Sequence, residues 1–502
     1  MMRWRRYLRW SVMVGLALVL GGGLAQTEPA GAIPTVSGRA LVWQVGGTPG
    51  NPQGLGTLFW HTPGEQSAVN LHDVPNEGAG TRVFACGADA VSRDGTYLIA
   101  YIGAWTGGLY RVALTGETGD AALIRWGDAH ALACNGRGNA GFSPDGARWA
   151  YINFERDAAG SNFPDGTLRI LNATDGSEQA HYDNVIAFDL QNDGAYYVQF
   201  YTDSQGRADE MTVNRWDGAS SRELAALNTD EGCFWTNARL AARPGGDPLF
   251  LAAGESCVGG SRWRVFSLTP DGGATERVYL PSGGAFLADS YSNQIAYLPG
   301  GQYLLAAYPN GRFKNIVNLV MVTPTAAGSG VTLIGDGVVV DTFPNGRAEH
   351  TRFAPGGGAL AYVTTTTRDE QAINLLRLDG GVTPITISGG PRGEGITTFF
   401  FTPDGARLLY VAGGLNGADN ALYALAVDDY NPDLVARGNF LPGGGVAGED
   451  VALLLQRVPP DDSYRDPAVD LVAVSLTDGS KTVLVEGRVA QAWAYPLAWR
   501  PD

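Results

Sequence analysis

The chain has 502 residues, 44% of them apolar, with 70 glycines, 27 prolines and a formal net charge of −16. An acid excess of this size argues against nucleic acid and anionic membrane surfaces as partners, because both require a basic face. Abundant glycine and proline between recurrent apolar runs imply an ordered chain with many tight turns, not a disordered one.

Residues 1–25 read as a secretory leader: Arg3, Arg5, Arg6 and Arg9 precede an apolar core over 12–20, and Gly23-Leu24-Ala25 offers a small-residue cleavage site. Ala30-Gly31-Ala32 is a second candidate site. The apolar core is short for a membrane span, so the expected product is exported to the periplasm or beyond, with no stable membrane insertion once the leader is removed. Removal takes four arginines and no acid, which makes the mature chain still more acidic. Residues 26–36 form a short linker, and 37–502 are expected to form one domain.

That domain opens with three short apolar runs at 39–44, 56–61 and 67–72. A five-residue pattern then recurs: an aromatic or apolar residue, a variable residue, often Pro, then Asp-Gly or Gly-Gly. Copies begin at Val91, Phe142, Leu190, Ala242, Tyr297, Phe353, Phe401, Phe440 and Trp499, the last cut short by the end of the sequence. Most lead into a β-rich run, such as YLIAYI after Gly95, ARWAYI after Gly146 or ARLLYV after Gly405. Glycine supplies a positive φ and proline presets the turn, so each copy predicts a hairpin. A third strand follows (LYRVAL from Leu109, TLRILN from Thr167, DLVAVSL from Asp470), then a polar turn and a fourth. Four antiparallel strands at a spacing of roughly 50 residues describe β-propeller blades. The copy at Phe440 is the weakest, because its next convincing strand begins only at Val451. The run 497–502 supplies an innermost strand, and the three runs at 39–72 supply the other three of its blade. The expected fold is therefore all-β: one propeller of nine four-stranded blades, with eight as the alternative, closed by a blade shared between the two ends of the chain.

The pattern resembles the TolB-type, WD-like propeller repeat, whose signature is an FSPDG-like turn followed by an apolar strand ending in Ala-Tyr. The resemblance covers nearly all of 37–502 and speaks to fold, since propellers host many unrelated activities. The separate α/β domain that precedes the TolB propeller has no counterpart expected in 26–36, so a Tol-Pal role is not implied.

In such a blade the segments before the innermost strand and between the second and third strands share one face, opposite the Asp-Gly turns. Cys86, Cys134, Cys233 and Cys257 all fall on that face. An even cysteine count in an exported chain predicts disulfides, most simply Cys233 with Cys257 and Cys86 with Cys134. A metal site is the competing reading, but there is no CxxC pair and no nearby His. The same face carries the longer connections, 46–55, 154–166, 202–210 and 457–468, where binding residues concentrate above a rigid scaffold. His130, Arg137, Trp235, Asp289, Arg347, Glu349, His350, Arg392 and Glu394 would ring the mouth of a central channel and hold a small polar ligand or a protein.

Catalytic signatures are missing. Gly254-Glu-Ser-Cys-Val-Gly259 fails the GxSxG spacing of a nucleophile elbow, and the five histidines form no HExxH pair. No cofactor or metal is expected. The sequence thus predicts a monomeric, exported binding or scaffolding module. The alternative is a propeller hydrolase or lyase acting on carbohydrate or lactone, with acid and base groups drawn from different blades.

Overall fold

The computed structural model describes residues 40–45, 57–61, 69–77, 81–85, 92, 94, 96–103, 106–114, 117–130, 140–143, 145–154, 166–203, 207–243, 246–258, 260–269, 272, 274–280, 285–286, 304–309, 316–322, 331–339, 351–354, 358–365, 371–377, 385–388, 396–402, 404–413, 420–429, 431–441, 446–447, 450–457, 468–489 and 494–500. The expected leader and linker lie outside the described residues.

The described residues are all-β. They form five four-stranded and two eight-stranded antiparallel sheets. Each eight-stranded sheet consists of two four-stranded meanders joined by a single residue pairing, Ala208 with Trp235 in one and Val338 with Thr364 in the other. Among the described residues helix is confined to one 3₁₀ turn, Gly119–Ala121, and none is long and apolar enough to cross a membrane. The strands expected near the start lie at Ala40–Val45, Thr57–His61 and Val69–Asp73. They share a sheet with Ala494–Arg500, which pairs with Ala40–Val45 from Ala40 opposite Arg500 to Val45 opposite Ala494.

Burial explains why the second strands read as unbroken apolar runs. All seven residues of Tyr97–Gly103 are buried, and alternate side chains serve different neighbours. Leu98, Ala100 and Ile102 pack with Leu58, Val74 and Val83, whereas Tyr97, Ile99 and Tyr101 pack with Trp149, Tyr151 and Leu171 of the following sheet. Leu409 and Val411 face Leu454 and Val472, while Leu408 and Tyr410 face Ala361 and Leu375. A strand apolar on both faces is what a layer between two layers requires. Fourth strands have no such cover. Glu178–Tyr182 and Ser221–Asn228 are largely exposed, and their composition is polar accordingly.

One position of the repeat carries more than its variability suggested. In three described turns the residue before the Pro or Arg is a buried hydroxyl: Ser92, Ser143 and Thr402, 6%, 3% and 1% exposed. Each hydroxyl donates to the turn aspartate, Ser92 to Asp94 at 2.7 Å, Ser143 to Asp145 at 2.5 Å and Thr402 to Asp404 at 2.6 Å. Each also accepts the N–H that opens the next strand, from Tyr97, Arg148 and Arg407. The aspartate accepts the N–H two residues on, that of Thr96, Ala147 or Ala406. Gly146 and Gly405, at φ of 74° and 70°, complete two of these turns in a region costly for residues with a Cβ.

The copy at Phe440 needs correcting. Val446–Ala447 pairs with Val451–Arg457, so the turn of this meander falls at 448–450 and not at 442–444. Phe440 lies upstream, bridged to Gln456 and clamped by Asn420, whose side chain donates to the Phe440 carbonyl at 2.6 Å and accepts its N–H at 2.8 Å. Pro-Gly-Gly drew the sequence reading to the wrong turn, because Gly448-Glu-Asp450 lacks the proline.

Candidate functional site

In each meander the register places the start of the first strand, the hairpin between the second and third, and the end of the fourth at one end of the sheet. Cys233–Arg243 and Gly246–Cys257 pair with Cys233 directly opposite Cys257 and Trp235 opposite Glu255. The expected Cys233–Cys257 disulfide is present, spanning Cα atoms 4.2 Å apart. Cys86 and Cys134 lie outside the described residues.

Because side chains alternate along a strand, Cys257 and Glu255 share a face with Cys233 and Trp235. Glu255 is fully buried. It accepts the Asp230 N–H at 3.0 Å, and Arg264 Nη1 stands 3.6 Å from the same oxygen. The Arg264 guanidinium also lies over the rings of Trp235, at 5.5 Å, and Phe266, at 5.0 Å. Attraction to the ring faces and to the carboxylate together fixes this arginine, whose side chain is only 11% exposed. Removing either partner of so buried a pair would leave an uncompensated charge, a loss of about 3–5 kcal/mol. The approach to Cys233 is tied down as well: Cys233 N donates to the Asp230 carbonyl at 3.0 Å, and the Thr229 hydroxyl donates to the Cys233 carbonyl at 3.0 Å.

Of the residues expected around a channel mouth, Trp235 is fully buried, its indole N–H donating to the Leu227 carbonyl at 3.3 Å. It forms the floor on which Arg264 rests and shows no open face to a ligand. His130 ends the strand Leu123–His130, opposite Thr106, and so lies at the same end of its sheet as Cys233 does of its own. Arg137, Asp289, Arg347, Glu349, His350, Arg392 and Glu394 lie outside the described residues. Glu255, Arg264 and Asp230 are the chemically distinctive side chains that the sequence reading passed over. The signal was the spacing Glu255-x-Cys257, which puts a carboxylate beside a sulfur on any strand.

Large apolar side chains are exposed at this end. Val258, at the tip of the disulfide-bearing hairpin, is 98% exposed, and Tyr201, in the second strand of the preceding meander, is 45% exposed. Next to Tyr201 the connection is braced internally, Arg207 pairing with Asp203 at 2.9 Å. The opposite end shows closed turn chemistry instead. Burial acts to raise Asp145 and Asp404, but the hydroxyl and backbone donors together with Arg148 and Arg407 outweigh it and hold both carboxyls below the usual range.

No family model matches the chain, and no curated protein matches it. Among solved structures it is similar to a crystal structure of the eukaryotic initiation factor, with a TM-score of 0.51 at 13% identity over 93% of this chain and 99% of that one. It is also similar to dipeptidyl peptidase 4 of Porphyromonas gingivalis, with a TM-score of 0.50 at 12% identity, covering 81% of this chain and 61% of that one. Both are β-propeller-containing proteins, and identity this low speaks to fold alone.

Proposed function

We propose that the chain is an exported β-propeller of nine four-stranded blades that works as a binding or scaffolding module without catalysis of its own. Four-stranded antiparallel meanders that stack in sequence order support the blades. The pairing of Ala40–Val45 with Ala494–Arg500 supports a blade shared between the two ends of the chain. The functional part rests on the unlike ends of the sheets. At one end, buried hydroxyls and aspartates spend their hydrogen-bonding capacity on the turns themselves. At the other end Val258 is exposed next to the cystine-stapled Cys257 and Tyr201 is exposed in the second strand of the preceding meander, and exposed apolar groups at one end of stapled, paired strands favour a protein-binding face.

Affinity capture with the full chain from an envelope extract tests this reading, with Tyr201→Ser plus Val258→Ser as the probe variant and Ile124→Ser plus Val483→Ser, on fourth strands, as the control. The parent and the control are expected to retain a partner that the probe variant loses. Retention by all three, or turnover of a carbohydrate or lactone substrate by the purified chain, overturns it.

A further inference from the structure

Cys233 Sγ, Cys257 Sγ and a Glu255 carboxylate oxygen all lie within 4.8 Å of one another. A cystine that served only as a staple would gain nothing from a buried carboxylate beside it, and burying that carboxylate costs free energy that the Asp230 N–H and Arg264 must offset. We propose that opening the Cys233–Cys257 disulfide converts this cluster into a binding site for a thiophilic divalent cation, zinc being the best match. The two thiolates and Glu255 would be the protein ligands, and water would take the fourth position.

Donor chemistry and geometry both favour zinc. Two sulfurs and one carboxylate oxygen form a set suited to zinc and poorly suited to calcium or magnesium, which take all-oxygen shells. Metal–ligand bonds of roughly 2.0–2.3 Å place neighbouring tetrahedral ligands about 3.3–3.8 Å apart. The two sulfurs, at bonding distance as a disulfide, must separate to about 3.8 Å, while the sulfur–carboxylate distances, at most 4.8 Å, must close by up to about 1 Å; side-chain rotation supplies both once the sulfurs are no longer bonded to each other. A carboxylate has two oxygens, so the Asp230 N–H on one of them is compatible with ligation. Two thiolates and a carboxylate carry three negative charges against the two of a divalent cation, and Arg264, 3.6 Å from Glu255, offsets part of the excess while also standing 4.0 Å from the Asp230 carboxylate.

Access is sufficient, since both cysteines are only part-buried and the adjoining hairpin tip at Val258 is exposed. The redox step requires a dithiol reductant. One of its thiolates attacks a cystine sulfur, the other resolves the mixed disulfide, and the protein gains two thiols as the reductant becomes a disulfide. Metal binding then releases the two thiol protons. In an oxidising compartment the cystine persists and the site stays closed, so uptake would report reducing conditions.

The test uses the full chain with Cys86→Ser and Cys134→Ser, which leaves only the two thiols in question. It is reduced with a phosphine under anaerobic conditions, freed of reductant and titrated with Zn²⁺ against a chromophoric chelator. The expected result is one Zn²⁺ per reduced chain and none per oxidised chain. Glu255→Gln should weaken binding by at least the ~10-fold that loss of even an outer-shell partner costs, and Cys233→Ser should remove the competitive uptake. Three results overturn the proposal: no uptake by the reduced chain, equal affinity in Glu255→Gln, or loss of the near-ultraviolet circular dichroism on reduction that zinc does not restore.

Discussion

A serine hydroxyl buried in a turn, with one aspartate to donate to and one strand N–H to receive from, cannot be replaced by a methyl group without leaving both partners short. Ser143→Ala is therefore expected to destabilise the protein by about 1–3 kcal/mol, read as a shift in the denaturant midpoint, and Ser92→Ala should behave alike. The same turns set an acid limit. Asp145 and Asp404 are held below the ordinary carboxylate value of 3.8, so their stabilisation is fully present above about pH 4 and is lost as the pH falls through their lower folded values. Asp478, lowered to about 2 by donors from Ser480 and Ser475, belongs to the same class. In an acid titration followed by near-ultraviolet circular dichroism, Asp404→Asn should be less stable than the parent near neutrality, and the gap should narrow below pH 4. A constant gap would show that the carboxylate charge is not the cause. The sequence repeat displayed the Pro, Asp and Gly of these turns. It hid the hydroxyl, because a position occupied by Ser, Thr, Gln, Arg, Leu and Ala looks like noise until the three hydroxyls are seen to be buried.

At the scale of strands and hairpins, close approach between neighbouring sheets is the sharper constraint. Gly479, at a φ of 71°, comes so near the Val435 carbonyl that a Cβ there would stand 2.0 Å from its oxygen. Both the backbone conformation and the contact penalise any side chain, so Gly479→Ala should lower the melting temperature more than Gly232→Ala, where φ is 78° but nothing lies within 4 Å of the added carbon. Equal shifts would mean that the conformational cost alone matters. Apolar runs such as 97–102 and 408–412 were legible as strands, because side chains buried on both faces leave an unbroken hydrophobic signature. The meander at 446–489 was misplaced by one turn, because the reading followed Pro-Gly-Gly and Val446–Ala447 is too short to show any period. Glu255 was missed for a different reason. Its meaning depends on Arg264 and Asp230, each from another strand or connection, and only the register brings those together.

For the molecule as a whole, the sheet shared by 40–73 and 494–500 is the largest single dependency. Glu77 ties the segment leaving that sheet to the next one, accepting from the Tyr110 hydroxyl and from Arg125 Nε at 3.4 Å. Deleting 494–502 should expose the whole edge of Ala40–Val45 to pairing with other chains. The truncated chain is expected to aggregate, or to melt well below the parent in a thermal scan monitored by light scattering. A truncated chain that is soluble and equally stable would remove the shared sheet from any account of the fold. The pairing also has a temporal side. Ala40–Val45 has its neighbour Ala494–Arg500 about 450 residues further along the chain, so the first sheet must wait, incomplete and with one edge unpaired, while the intervening residues are made. The interval during which 40–73 needs shielding is thus set by the rate of delivery of the chain, and slowing that delivery should lengthen the window for misassociation without altering the stability of the finished protein.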